Sequence, residues 1–126
     1  MLKTNRDKRG GLISLNNFSS LPFVPKRFMY IYDVPNGETR GYHAHKTNSQ
    51  IFMCMKGKAN IKTITKNVTG ELIEKEHYLS EGEHLIMPPM TWGEQTYFDD
   101  AVALVLCSKE YDERDYVRDY EQFKKH

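Results

Sequence analysis

Two histidines one residue apart, His43-Ala44-His45, are the side chains of this sequence best placed to do chemistry. In an extended strand residues i and i+2 share a face. Both imidazoles therefore point the same way, with Cα atoms about 7 Å apart, and Ala44 takes the other face. Neutral imidazoles serve as acid–base groups near neutral pH and as metal ligands. Arg40 and Gly41 lie just before the pair and Gln50 just after it. Arg27, Tyr30 and Tyr32 belong to a neighbouring aromatic-rich run. Arginine binds phosphate bidentately, so Arg27 and Arg40 are candidates for an anionic ligand. Surface salt bridging is the competing role for both. Strict alternation puts Arg40 opposite His43, so it reaches the histidines only if the strand bends near Gly41. Gln50 follows a turn over 46–49 that resets the alternation, which lets it line the same pocket. Trp92 fits a core position and a site wall equally well.

The elements that must hold these residues are short and β-rich. Candidate strands cover 11–15, 28–32, 40–45, 50–56, 59–65, 71–79, 84–87, 94–98 and 101–108. Turn signals separate them, among them Pro35-Asn36-Gly37, Lys56-Gly57-Lys58, Glu81-Gly82, Pro88-Pro89 and Asp99-Asp100. Short strands at this spacing predict an all-β sandwich or barrel. Only the C-terminus changes period. Tyr116, Val117, Tyr120 and Phe123 recur at helical spacing, with Asp112 as a cap and Lys124-Lys125 at the end. A short helix over 111–123 is expected, docked on the barrel by its tyrosine stripe with the charged face outward.

With 126 residues, the chain reads as one domain. Lys and Arg number 18 against 17 Asp and Glu, which argues against a nucleic-acid module resting on a strong positive field. Hydrophobic residues make up 39%, a lean supply for a core, so association with a second copy is a natural way to bury more surface. No stretch has the length of a membrane span. The polar, basic start of the chain lacks the apolar segment of a secretory signal, which makes a cytoplasmic location the expectation. Cys54 and Cys107 lie in apolar runs and are expected as buried, reduced thiols.

The spacing Gly37, His43-x-His45, Gln50, Gly57, followed by Gly82 and Pro88, resembles the two motifs of the cupins. That resemblance implies a jelly-roll β-barrel of the RmlC-like type. The four metal-ligand positions of metal-binding cupins map onto His43, His45, Gln50 and Gly93. Two imidazoles and an amide make a poor metal site. No metal is expected, and the histidines move toward metal-free acid–base work.

A closer resemblance covers roughly residues 8–123. Arg9-Gly10, the run Lys26 to Asp33, Arg40-Gly41-Tyr42-His43-Ala44-His45-Lys46, Gln50, Pro88 with Trp92, and the tail Tyr111 to Tyr120 fall in order. Together they are similar to the sugar 3,4-ketoisomerases of nucleotide-sugar pathways, cupins acting on dTDP-4-keto-6-deoxyglucose. The resemblance implies that His43 and His45 are catalytic, one as C–H base and one as proton relay, with the order open. It implies substrate contacts from Arg40, Arg27, Arg9, Tyr30, Tyr32, Gln50 and Trp92, and no cofactor. It further implies a homodimer that exchanges its N-terminal strand segment, residues 1–18, with Gly10-Gly11 as hinge. The product would feed a 3-amino-3,6-dideoxy sugar. Members of this family carry a polar or charged side chain after the tryptophan. Gly93 lacks one, and Glu94, Gln95 or a water are the available substitutes. A sugar-nucleotide epimerase, a metal-binding cupin and a non-catalytic sugar-nucleotide binder are the alternatives.

Overall fold

The computed structural model describes residues 1–126. Nine strands and one short helix follow in order: β1 (Leu2–Asp7), β2 (Gly10–Leu15), β3 (Arg27–Ile31), β4 (Thr39–His45), β5 (Gln50–Lys66), β6 (Leu72–Ser80), β7 (His84–Met87), β8 (Trp92–Cys107), β9 (Tyr116–Val117) and α1 (Tyr120–Lys125). The all-β expectation holds, but two pairs of expected strands are single long ones. The turn signals at Gly57 and at Asp99-Asp100 are bends within β5 and β8. They face each other across the ladder. A Cβ on Gly57 would sit 2.7 Å from the carbonyl oxygens of Phe98 and Asp99, and Gly57 has φ +71°, so only glycine fits there. Asp99 and Asp100 both take positive φ, which Asp tolerates better than most residues.

These bends divide β5 and β8 between two packed sheets. The first half of β5 pairs with the second half of β8, flanked by β3 and β7. The second half of β5 pairs with the first half of β8, flanked by β6 and by β4, which carries β9 at its edge. Phe52, Cys54 and Val105 of one sheet meet Ala59, Ile61 and Tyr97 of the other in the main core. Both cysteines are buried and unpaired.

Each end of the chain closes one outer face. Leu2, Leu15, Leu21 and Phe23 cover Ile51, Met53 and Leu106. Val117, Tyr120 and Phe123 cover Ala44, Ile64 and Trp92. The expected helix over 111–123 is much shorter. Asp112 does cap a turn, but a 3-10 turn, Glu113–Asp115. Tyr116 and Val117 are extended, and Asp119 caps the helix proper through Glu121 and Gln122. The tail follows this course because β9 takes the free edge of β4, where backbone donors and acceptors would otherwise stand unpaired. Gly10 and Gly11 begin β2, and β1 and β2 pair with each other alone. No helix is long and apolar enough to cross a membrane.

Candidate active site

β4 builds the site through an irregularity at Gly41. Register is regular at Arg40↔Gln95 and Gly41↔Glu94, then shifts so that His43 pairs with Gly93. Tyr42 is the extra residue, with φ +59°. Gly41 has φ +103°, and a Cβ there would lie 2.7 Å from the Gly93 carbonyl oxygen and 2.8 Å from Oε1 of Gln95. A bulge adds one residue and re-aims the side chains that follow. It is the bend that the alternation required. Arg40 and His43 border one cavity of about 220 Å³ between the sheets, together with Gln50, Gln95 and Tyr116.

His43 and His45 share the inner face of β4, with ring centroids 5.0 Å apart and planes at 90°. Ala44 points outward into the tail-covered core. Tyr116 lies over both rings, 5.0 Å from His43 and 4.3 Å from His45. The His43 Nδ1 atom is 3.1 Å from the Gly41 carbonyl oxygen. As donor to that oxygen, Nδ1 carries the proton and leaves Nε2 as the basic atom. Burial pushes the His43 pKa down, with the Gly41 carbonyl opposing and the Arg118 and Arg27 charges adding to the fall. His45 is deeper, at 4% exposure. Burial and then the neighbouring His43 take its pKa down to about 4, against an upward pull from Asp115. Both rings are therefore neutral at pH 7 and able to accept a proton.

Other candidates take different places. Gln50 is buried, and its amide donates toward Sγ of Cys107 at 3.8 Å. Arg27 stands in the wall behind the histidines, donating to the Tyr116 hydroxyl at 3.4 Å and toward Sγ of Cys107 at 3.5 Å. Its Nε is buried without a partner. Tyr30 borders the cavity, and Tyr32, 60% exposed, does not. Trp92 is no site wall. It packs with Phe123 and Tyr120 behind Ala44, and its Nε1 donates to Glu94 at 2.9 Å. Parity explains the outcome: Gly93 and Gln95 share the inner face of β8, whereas Trp92 and Glu94 face outward. Arg9 lies in the β1–β2 turn, paired with Asp7 at 2.7 Å, and within one chain it does not meet the histidines. The space expected of a side chain at Gly93 is filled: a Cβ there would meet the Met87 methyl at 2.6 Å and the Gln95 amide nitrogen at 3.2 Å.

Tyr116 is the functional-site residue that sequence reasoning missed. Its place in a 3–4 residue spacing concealed it among helix-docking residues. The Tyr116-Val117 pair, one polar aromatic and one β-branched residue, was the available signal for a strand with two dressed faces.

The donor set does not fit a metal. Only the two imidazoles come from ligand-type residues, the Gln50 amide is turned to sulfur, and Gly93 offers no side chain. No group of three or more His, Cys, Asp or Glu side chains is placed to hold a metal ion. What the site offers is one neutral base at the cavity, His43, a second, His45, buried beside it, amides from Gln50 and Gln95, and a guanidinium at Arg40. That set suits proton transfer at carbon beside an oxygen that gains charge. A larger groove of about 950 Å³ along Lys26, Lys109, Tyr111 and Arg114 holds neither histidine.

Comparison with known proteins gives consistent matches over the whole length. A family model described as FdtA, WxcM-like, C-terminal, matches residues 1–126. The chain is 36% identical over 121 residues to the TDP-4-oxo-6-deoxy-alpha-D-glucose-3,4-oxoisomerase of Aneurinibacillus thermoaerophilus, covering 95% of this chain and 84% of that one. Among solved structures it is similar to a histidine-to-asparagine mutant of the 3,4-ketoisomerase QdtA from Thermoanaerobacterium thermosaccharolyticum, in complex with TDP-4-keto-6-deoxyglucose. That match has a TM-score of 0.84 and 33% identity, over 98% of this chain and 88% of the other. It is also similar to the WlaRB TDP-quinovose 3,4-ketoisomerase from Campylobacter jejuni, with TM-score 0.80 and 35% identity over 99% and 94%.

Proposed function

The chain belongs to the FdtA (WxcM-like, C-terminal) family, and from that premise we propose that it is a TDP-sugar 3,4-ketoisomerase acting on TDP-4-keto-6-deoxyglucose through its two histidines. The observation that carries this reading is the pair of neutral imidazoles on the inner face of β4, roofed by Tyr116.

The C4 ketone acidifies the proton at C3. His43 borders the cavity and keeps Nε2 free, so it takes that proton as C–H base. The C4 oxygen gains negative charge and then a proton, giving an enediol. His45 relays the proton between the two oxygens. C4 is reprotonated, the C3 hydroxyl loses its proton, and the ketone stands at C3. Atoms and electrons balance within the sugar, and the bases end as they began. Gln50 and Gln95 are the donors for the developing oxyanion. A cavity of about 220 Å³ is below the ~300–1,000 Å³ of whole-ligand pockets, so the sugar ring enters and the nucleotide lies along the mouth. Arg40 at that mouth and Tyr30 at its border suit this part of the ligand. The product is a substrate for amination at C3, and the cytoplasm suits both that chemistry and two reduced thiols.

The functional unit is a homodimer in this reading. The β1–β2 hairpin pairs only with itself. Leu12, Phe28, Tyr30 and Tyr32 are all more than half exposed, an apolar surface for a partner's residues 1–18 to cover. A monomeric mass in sedimentation contradicts this part. For the reaction, NMR of the product of TDP-4-keto-6-deoxyglucose decides. A 3-keto sugar is expected, and an epimer that keeps its 4-keto group is the contrary result.

A further inference from the structure

Asp115 ends the 3-10 turn just before β9, and its carboxylate is fixed by three bonds from the turn that leaves β4. Oδ1 accepts from the Thr47 backbone at 2.9 Å and from its hydroxyl at 2.7 Å, and Oδ2 accepts from the Asn48 backbone at 3.1 Å. Oδ2 also lies 3.7 Å from Nδ1 of His45, a charge contact longer than a hydrogen bond. The opposite ring nitrogen, Nε2, is buried without a partner. Tyr116, the next residue, packs on the same ring at 4.3 Å and holds its plane.

A ring nitrogen that faces a carboxylate keeps the proton, because the other tautomer would set a lone pair against negative charge. We infer that Asp115 is a positioning residue for the isomerisation: it holds His45 as the Nδ1–H tautomer and leaves the Nε2 lone pair to carry the relayed proton. The inference rests on the reading of His45 as the relay. When Nε2 takes a proton from one substrate oxygen, the ring is briefly cationic and the carboxylate stabilises it. The proton then leaves to the second oxygen. Five charged or titratable groups bear on His45: His43 on its own strand, Arg27 from β3, Tyr116 of β9, Arg118 beyond it, and Asp115. Asp115 alone among them is negative, so no other group takes over if its charge is removed.

The same carboxylate anchors residues 46–48, and loop support is the rival role. Nitrogen-15 NMR of the histidine-labelled wild-type chain separates the two without reference to activity. His45 is expected with Nδ1 protonated and Nε2 bare, and an Nε2–H tautomer overturns the proposal. In Asp115→Asn, kcat is expected to fall on the order of 10²-fold with KM little changed. The His45 titration, followed by the same nitrogen-15 signals, moves to lower pH, because a charge that raised the basicity of His45 is gone. Thr47→Val removes one anchoring bond and leaves the carboxylate at His45, so its kcat and its His45 titration stay near wild type. A normal kcat with an unmoved His45 titration in Asp115→Asn overturns the proposal, as does equal loss in both variants with that titration unmoved. If the wild type makes no 3-keto sugar, the proposed reaction fails, and the tautomer still decides the role of Asp115.

Discussion

The two faces of β4 stand one residue apart and do opposite work. The inner face carries His43, His45 and the roof of Tyr116, bordering a cavity. The outer face carries Ala44 against Trp92, Val117 and Phe123, which is closed apolar core. The same two tail residues dress both faces: Tyr116 the inner and Val117 the outer, in register with His45 and Ala44. The difference teaches that neutral, desolvated histidines need a rigid strand behind them. The outer cluster fixes the strand, and the inner face is then free to hold groups that contribute little to packing.

Substitutions can break that division face by face. His43→Asn should remove the base while leaving the outer core intact. A loss of roughly 10²–10⁴ in kcat is expected with an unchanged melting temperature, read by coupled assay and calorimetry. Phe123→Ala, fully buried on the outer side, should do the reverse: about 3–5 kcal/mol of stability lost in urea unfolding, with activity following the folded fraction. Gly41→Ala attacks the bulge that serves both faces. The position has φ +103° and backbone in the way of a Cβ, so about 1–3 kcal/mol of strain is expected. Activity should fall by more than the stability loss explains, since Arg40 and His43 are aimed by that bulge.

The smallest effect is in pH, and its sign follows from burial. Both histidines have pKa values lowered by folding. The unfolded chain therefore binds protons first as pH falls. Stability should be full above the ordinary histidine value near 6.5 and decline as pH falls toward about 4. His45→Asn should flatten that slope in unfolding curves taken across the window, and an unflattened slope would place the acid sensitivity elsewhere.

Much of this was legible in the sequence, because period 2 is a strong rule. His43 and His45 on one face with Ala44 behind follow from alternation, whereas the bend at Gly41 entered as the condition for Arg40 to reach them and Gln50 as a residue beyond a turn that resets the alternation. The tail was not legible. Its residues sit at 3–4 spacing because Val117, Tyr120 and Phe123 do fill one core, and that spacing hides an extended Tyr116-Val117 pair. The free edge of β4 decides the matter, and an edge is a property of the assembled sheet. For the same reason Trp92 was placed only by its parity in β8, and Gly57 and Asp99-Asp100 looked like turns until the two long strands were seen to bend together.

The central claim is that the inner face of β4 moves the ketone by proton transfer at carbon. Its most direct test is to incubate the enzyme with TDP-4-keto-6-deoxyglucose in deuterated water and read C4 of the product by NMR. The account predicts a 3-keto sugar carrying deuterium at C4, and neither product nor label with His43→Asn. A 3-keto sugar that retains only protium at C4, or one formed at the normal rate by His43→Asn, would contradict it.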